Sequence, residues 1–171
     1  VSGKLVLLVF LITNVIYIGM LFYSLPKVAS HAPKLVLFDM SPTGYNYSTA
    51  MNLLKELGPN GRDVYLSLQL PLDFIYPLLF SVTYSFLIIW LVKRFNLIWS
   101  EHYWIAILPI AAGLFDYAEN IGIILMLTHY PEISEALVLV SSIFTILKSM
   151  LTTLYFVALL VLFFFILLRR Y

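Results

Sequence analysis

The sequence predicts an all-α polytopic membrane protein, a single domain of four transmembrane helices in one bundle, with a partly ordered outer loop between the first two. Two observations carry this. First, 62% of the 171 residues are hydrophobic and 11% are charged, whereas a soluble domain carries about 45–50% apolar and about 25% charged residues. Mean hydropathy is +0.97, and no soluble core of this size hides so much apolar surface. Second, the apolar residues gather into four runs of about 20 residues or more, the length that crosses a hydrocarbon layer. Backbone groups in lipid need partners within the segment, so each run is read as a helix.

The first span covers about residues 5–25 and ends at Pro26. Lys4 precedes it, and Ala29-Ser30-His31-Ala32 comes after it in the manner of a cleavage site. The apolar run exceeds the roughly 7–15 residues of a signal-peptide core, so it is read as a retained span. Residues 26–61 form the outer loop. Within it Lys34 to Phe38 is expected to be a short extended segment, and Ser48 is expected to cap a short helix over about 49–57. Ala50, Leu53, Leu54 and Leu57 recur there at helical spacing and Gly58-Pro59 stops the run. That apolar face needs a surface to rest on, so the loop is read either as a lid over the bundle or as a cap for its helix ends. Asn46-Tyr47-Ser48 is a glycosylation sequon.

The second span lies within about 62–93 and is closed by Lys93-Arg94. The third covers about 103–128. The fourth, about 134–168, is closed by Arg169-Arg170. Lys4, Lys93, Arg94, Arg169 and Arg170 fall on one side of a four-span chain, and the short loop after span three holds Glu132 and Glu135 without a base. The excess of bases marks the inner side, so both termini are expected in the cytoplasm and loop 26–61 outside. Trp90, Trp99, Tyr103 and Trp104 would form an aromatic belt at the inner boundary.

Several function classes are excluded or unsupported. Without cysteine there is no disulfide, thiol catalysis or thiolate metal site. A net charge of +1 provides no basic field for nucleic acid. His31, His102 and His129 are scattered, so neither a metal nor a cofactor is expected.

The spans do hold polar residues. Arg62, Tyr65, Gln69, Asp73 and Tyr76 recur at helical intervals in span two, with Pro71 and Pro77 flanking Asp73. Each proline removes a backbone donor and leaves a carbonyl in want of a partner. Span three places Asp116, Glu119 and Asn120 on one face, which Pro109 and Gly113 extend with small residues that admit a close neighbour. Span four aligns Ser141, Thr145, Lys148, Thr152 and Tyr155. Span one adds Thr13, Asn14 and Tyr17. An ionised residue at mid-bilayer costs about 2.5–3.5 kcal/mol on insertion scales. The three faces are therefore expected to turn toward one another, so that Asp73, Asp116 and Glu119 share a chamber with Lys148 that opens outward toward Arg62. The predicted ligand-contacting set is Arg62, Tyr65, Gln69, Asp73, Tyr76, Asp116, Glu119, Asn120, Thr145, Lys148, Thr152 and Tyr155.

Three readings are open. The chamber binds a small amphiphile or lipid with a cationic or hydroxyl head, or receives a partner protein. Alternatively the protein is a membrane enzyme on a lipid-like substrate, with Asp116 or Glu119 as general acid and Lys148 or Asp73 assisting. In the third reading the stripes are packing glue within an accessory subunit of a larger complex. Beyond the bilayer itself, the expected partners are a small amphiphilic ligand or another membrane protein.

The strings GYNYSTAMNLLKELG, GRDVYLSLQLPLDFIYPLLF and LFDYAEN resemble those of small four-span membrane proteins that recur in genome translations, a resemblance that implies the fold and no activity. The layout of a short first span, a long outer loop and three further spans is similar to the EXPERA group of sterol isomerases and sigma-2-like receptors. That likeness implies that Asp73, Asp116 and Glu119 hold a cationic amine or carbocation. The stretch Asp73 to Phe80 resembles the second helix of the glutathione-dependent MAPEG enzymes, with Arg62 alone near a glutathione-binding position.

Overall fold

The computed structural model describes residues 1–95 and 100–168, and the side chains of 100–103 are not included. Trp99, Arg169 and Arg170 lie outside the described residues, as do the side chains of His102 and Tyr103. The chain is all-helical, and no strand occurs among the described residues. Among the described residues four helical stretches are long and apolar enough to cross a membrane: Gly3–Ala29, Tyr47–Arg94, Trp104–His129 and Glu135–Leu168.

The first stretch comprises α1 (Gly3–Gly19), a π-helical turn (Met20–Ser24) and α2 (Leu25–Ala29). The second comprises α3 (Tyr47–Val64), a second π-helical turn (Tyr65–Gln69) and α4 (Leu70–Arg94). The two π turns share a cause. Each is succeeded by Leu-Pro, and the leucine amide bonds five residues back, Leu25 to Met20 and Leu70 to Tyr65. Pro26 and Pro71 have no N–H with which to continue the ordinary ladder. The turns lie side by side, and Ser24 donates to the Gln69 carbonyl oxygen at 2.5 Å across them.

The loop differs from the sequence expectation in two places. Lys34 to Phe38 is irregular chain that leads into a 3-10 turn, Phe38–Met40. The cap of α3 is Asn46, not Ser48: its side-chain oxygen accepts from the amide of Thr49 and from the hydroxyls of Ser48 and Thr49. An Asn with extended backbone is as good a cap as Ser, and Asn46 starts the helix two residues earlier. Helix α3 does not stop at Gly58. That residue takes φ 62°, a left-handed conformation that glycine adopts without a Cβ clash, and Pro59 restarts the helix beyond the bend.

A 3-10 segment (Ser100–Ile107) leads into α5 (Leu108–His129), and α6 (Glu135–Leu168) completes the chain. The helices pack in the order α1, α4, α5, α6, while α1 and α6 at the two ends make at most marginal contact. Burial matches that order. The most apolar windows of the α3–α4 and α5 stretches are 44% and 50% buried, against 17% for the α1–α2 stretch and 22% for α6. The centre is tight: a Cβ on Gly113 would lie 2.9 Å from the Pro77 carbonyl oxygen, so only glycine lets α5 approach α4 this closely.

Two apolar cores result. At the loop end Leu53, Leu54, Leu57 and Phe38 pack with Tyr65, Ile123, Met126 and Val138, so the apolar face of α3 rests on the bundle mouth. At the end that carries both termini Phe80, Tyr84, Ile88 and Leu91 pack with Tyr155, Leu159 and Leu162. The polar layer lies between them.

Candidate functional site

Lys148 is thirteen residues into α6, and Asp116 stands thirteen residues before the end of α5, so at 1.5 Å per residue each lies about 20 Å below the loop end of its helix. They meet. The Lys148 ammonium pairs with Asp116 Oδ1 at 3.2 Å and with Glu119 Oε2. The Thr145 hydroxyl donates to Glu119 Oε1 at 2.7 Å. Asp116, Glu119 and Thr145 are all buried. This centre is chemically complete, since both oxygens of Glu119 have a partner.

Asp73 is held differently. Pro77 denies the Asp73 carbonyl its helical partner, and Asn120 Nδ2 donates to that carbonyl at 2.9 Å. Tyr117 in the same way donates to the Phe74 carbonyl at 2.9 Å. Both contacts tie α5 to the backbone of α4 near its proline. The Asp73 carboxyl remains outside these bonds. The residue is 4% exposed, and its Oδ2 is buried without a hydrogen-bond partner.

A cavity of about 600 Å³ opens beside these groups. Its walls are Asn14, Tyr17 and Met20 from the first helical stretch; Gln69, Asp73, Tyr76, Phe80 and Tyr84 from the second; Asp116 from α5; and Lys148, Thr152 and Phe156 from α6. It therefore fills the gap between α1 and α6. Tyr17 and Tyr76, both in its wall, stack with ring centroids 5.5 Å apart. Its loop end is closed by Asp39, Met40 and Pro42.

The predicted residues divide into three groups, those at the cavity, those behind it and those placed elsewhere. Gln69, Asp73, Tyr76, Asp116, Lys148 and Thr152 line the cavity. Glu119, Asn120 and Thr145 lie behind it, occupied with helix-to-helix bonds. Tyr155 is fully buried in the lower core among Phe80, Tyr84 and Phe156. Arg62 corrects the expectation that the chamber opens toward it: its guanidinium lies 4.6 Å over the Tyr130 ring and donates to the Leu54 carbonyl at 2.8 Å. Tyr65 points away as well, donating to Asp39 Oδ2. The π turn at Tyr65–Gln69 explains both. One extra residue in a turn rotates the helix on its N-terminal side by about 100° relative to the helix on its C-terminal side, so the stripe from Arg62 to Tyr76 does not stay on one face.

Asp39 was not legible as a site residue. It sits in a loop whose acids and bases read as solvated charge, and only the packing of Leu37 and Phe38 into the upper core carries it to the cavity. A second clasp holds the same loop: Tyr45 donates its amide to Ser142 Oγ at 2.8 Å, and its hydroxyl lies 2.8 Å from Ser141 Oγ. Burial pushes the Tyr45 phenol up to about 12.

Comparison with models of protein families, with curated proteins and with solved structures finds no match to this chain.

Proposed function

We propose that this chain is an integral membrane protein that takes a small amphiphile from the bilayer into the cavity between α1 and α6, with both termini cytoplasmic and the loop outside. One observation carries the reading: the cavity of about 600 Å³ has carboxyls at its loop end and aromatic rings at its other end, in the gap between two helices that make at most marginal contact with each other. A volume of this order suits a small ligand. A molecule with a polar head and an apolar tail matches that division. The lateral position of the gap lets it enter from lipid without crossing the loop. Glu119, Asn120 and Thr145 act as glue in this reading, and Asp39, Asp73 and Asp116 face the ligand.

The catalytic alternative has one observation in its favour, the Asp116–Lys148 pair at the cavity wall. The other candidate acid, Glu119, is behind that wall and partnered on both oxygens, which favours binding over acid catalysis.

Native mass spectrometry of the protein released from a mild neutral detergent tests the proposal. A small lipid-like molecule retained at one per chain is the expected result. Bare protein from several detergents would overturn it, and a stoichiometric protein partner would support the subunit reading in its place.

A further inference from the structure

Asp39 and Asp73 come from different parts of the chain, the loop and α4, and their carboxyls meet at hydrogen-bond distance. Two ionised carboxylates are acceptors only and repel each other, so this contact needs a proton between them. A single proton is enough. Asp39 Oδ1 and Asp73 Oδ2 are buried and have no other hydrogen-bond partner among the described residues, and one shared proton serves both. Each carboxyl is also held from behind. Tyr65 donates to Asp39 Oδ2, and Asn120 fixes the backbone of Asp73 through its carbonyl at 2.9 Å.

The loop near Asp39 has two anchors. Leu37 and Phe38 pack in the upper core on one side, and Tyr45 is clasped to Ser141 and Ser142 on the other. Between them the backbone bonds are local: Met40 to Leu37 and Ser41 to Phe38, each at 3.1 Å, and Gly44 to Ser41 at 2.8 Å. Asp39, Met40 and Pro42 of this stretch close the loop end of the cavity. The contact with Asp73 therefore fastens a short movable stretch of loop across the cavity mouth.

We propose that Asp39 and Asp73 form a proton-held latch: residues 39–44 lie closed over the cavity while the two carboxyls share a proton, and swing free once it is lost. The device is independent of what the cavity holds. In the closed form the carboxyls touch and keep the proton, whereas in the open form they separate into water and release it more readily. Closure is therefore favoured at low pH and lost as pH rises. The neighbouring groups fit this sense. Lys148 on α6, the cation at the cavity wall, is already paired with Asp116 and Glu119 of α5. Gln69 Nε2, from the π turn, is buried and bonded to neither carboxyl. Tyr65 and Tyr76 beside Asp73 and Tyr45 on the loop are neutral phenols over the same range. The first helical stretch brings Asn14, Tyr17 and Met20 to the wall and no charge. Once the proton leaves, no free cation stands by to hold the two carboxylates together.

The test follows amide hydrogen exchange by mass spectrometry on the full chain in neutral detergent. The pH is raised from about 4 to about 9, an interval that brackets a shared carboxyl proton and ends short of the Tyr45 phenol, which burial pushes up to about 12. Exchange is read as protection, beyond the rise that base catalysis gives every amide. The amides of residues 39–44 should lose protection about tenfold or more across the interval, while those of α5 and α6 around Asp116, Glu119 and Lys148 keep theirs. Asp39→Asn and Asp73→Asn should each abolish that loss and keep the stretch closed throughout, because a side-chain amide donates to the remaining carboxylate without a titrating proton. Asp63→Asn, a change at an exposed acid on α3, should leave the loss in place. Level protection of residues 39–44 in the unaltered chain overturns the latch. So does a loss that survives either substitution, or one that α5 and α6 share equally, which would assign it to the ionic centre. The titration of the unaltered chain decides the matter even if a variant fails to fold.

Discussion

Two acidic sites lie within the same polar layer, and they are built on opposite principles. Around Lys148 every charged group has a partner: Asp116 and Glu119 share the one ammonium, and Thr145 donates to Glu119. Where the loop meets α4, Asp39 and Asp73 line the cavity and neither makes an ion pair among the described residues. The first arrangement holds helices together and presents little to a ligand. The second stands at the cavity wall. Buried charge alone thus does not mark a site. Site and scaffold differ here in whether the protein itself supplies the complementary group.

The sharpest way to break this contrast is Lys148→Met. It strands two buried carboxyls, and breaking a buried pair from one side costs about 3–5 kcal/mol, so denaturant unfolding in detergent should show the largest loss of any single change. Adding Glu119→Gln to that variant should recover part of the loss. Asp73→Asn should behave in the opposite way, with unfolding stability retained, because the Asp73 carboxyl makes no direct ion pair in the fold. A large loss at Asp73 would place it with the scaffold.

A smaller effect is expected at the proline-freed backbone. Asn120→Leu leaves the Asp73 carbonyl without its donor, a cost of about 1–3 kcal/mol for a buried unsatisfied acceptor. Pro77→Ala returns a helical donor to that carbonyl. The double variant should therefore lose less than the sum of the two single changes, and a double-mutant cycle on the same unfolding assay measures the difference.

The smallest expected effect is a pH response of the loop clasp. The Tyr45 phenol, ordinarily near 10.0, is pushed up to about 12 in the folded chain. A raised value means that the neutral form is the one the fold favours. Its contribution is complete below pH 10 and is lost as pH rises toward 12. Hydrogen exchange of the amides around Tyr45 should accelerate over that interval beyond the rise that base catalysis gives every amide, and Tyr45→Phe should abolish that excess.

Much of the fold was legible in the sequence because the hydrophobic requirement acts on whole segments. Four runs of apolar residues announce four helices whatever their neighbours are. The apolar face of α3, Ala50 to Leu57, is equally plain in its spacing. The candidate site was legible only as residue types. Asp73, Asp116 and Lys148 stand out because ionisable groups are costly in apolar surroundings, and Pro77 foretold the freed carbonyl that Asn120 takes. Arg62 departs from its expected place because constant helical spacing does not hold through Tyr65–Gln69, where the π turn changes the register.

The sequence by itself determined the number of long apolar helices and the short set of charges that must find company among them. Those depend on local composition, since each segment carries its own transfer cost. Tertiary structure decided which charges are scaffold and which face the cavity, and it brought Asp39 from the loop to Asp73. Such decisions depend on helix rotation, on the open side between α1 and α6, and on the anchoring of the loop by Leu37 and Phe38. They are contacts between residues distant along the chain, which local spacing does not encode.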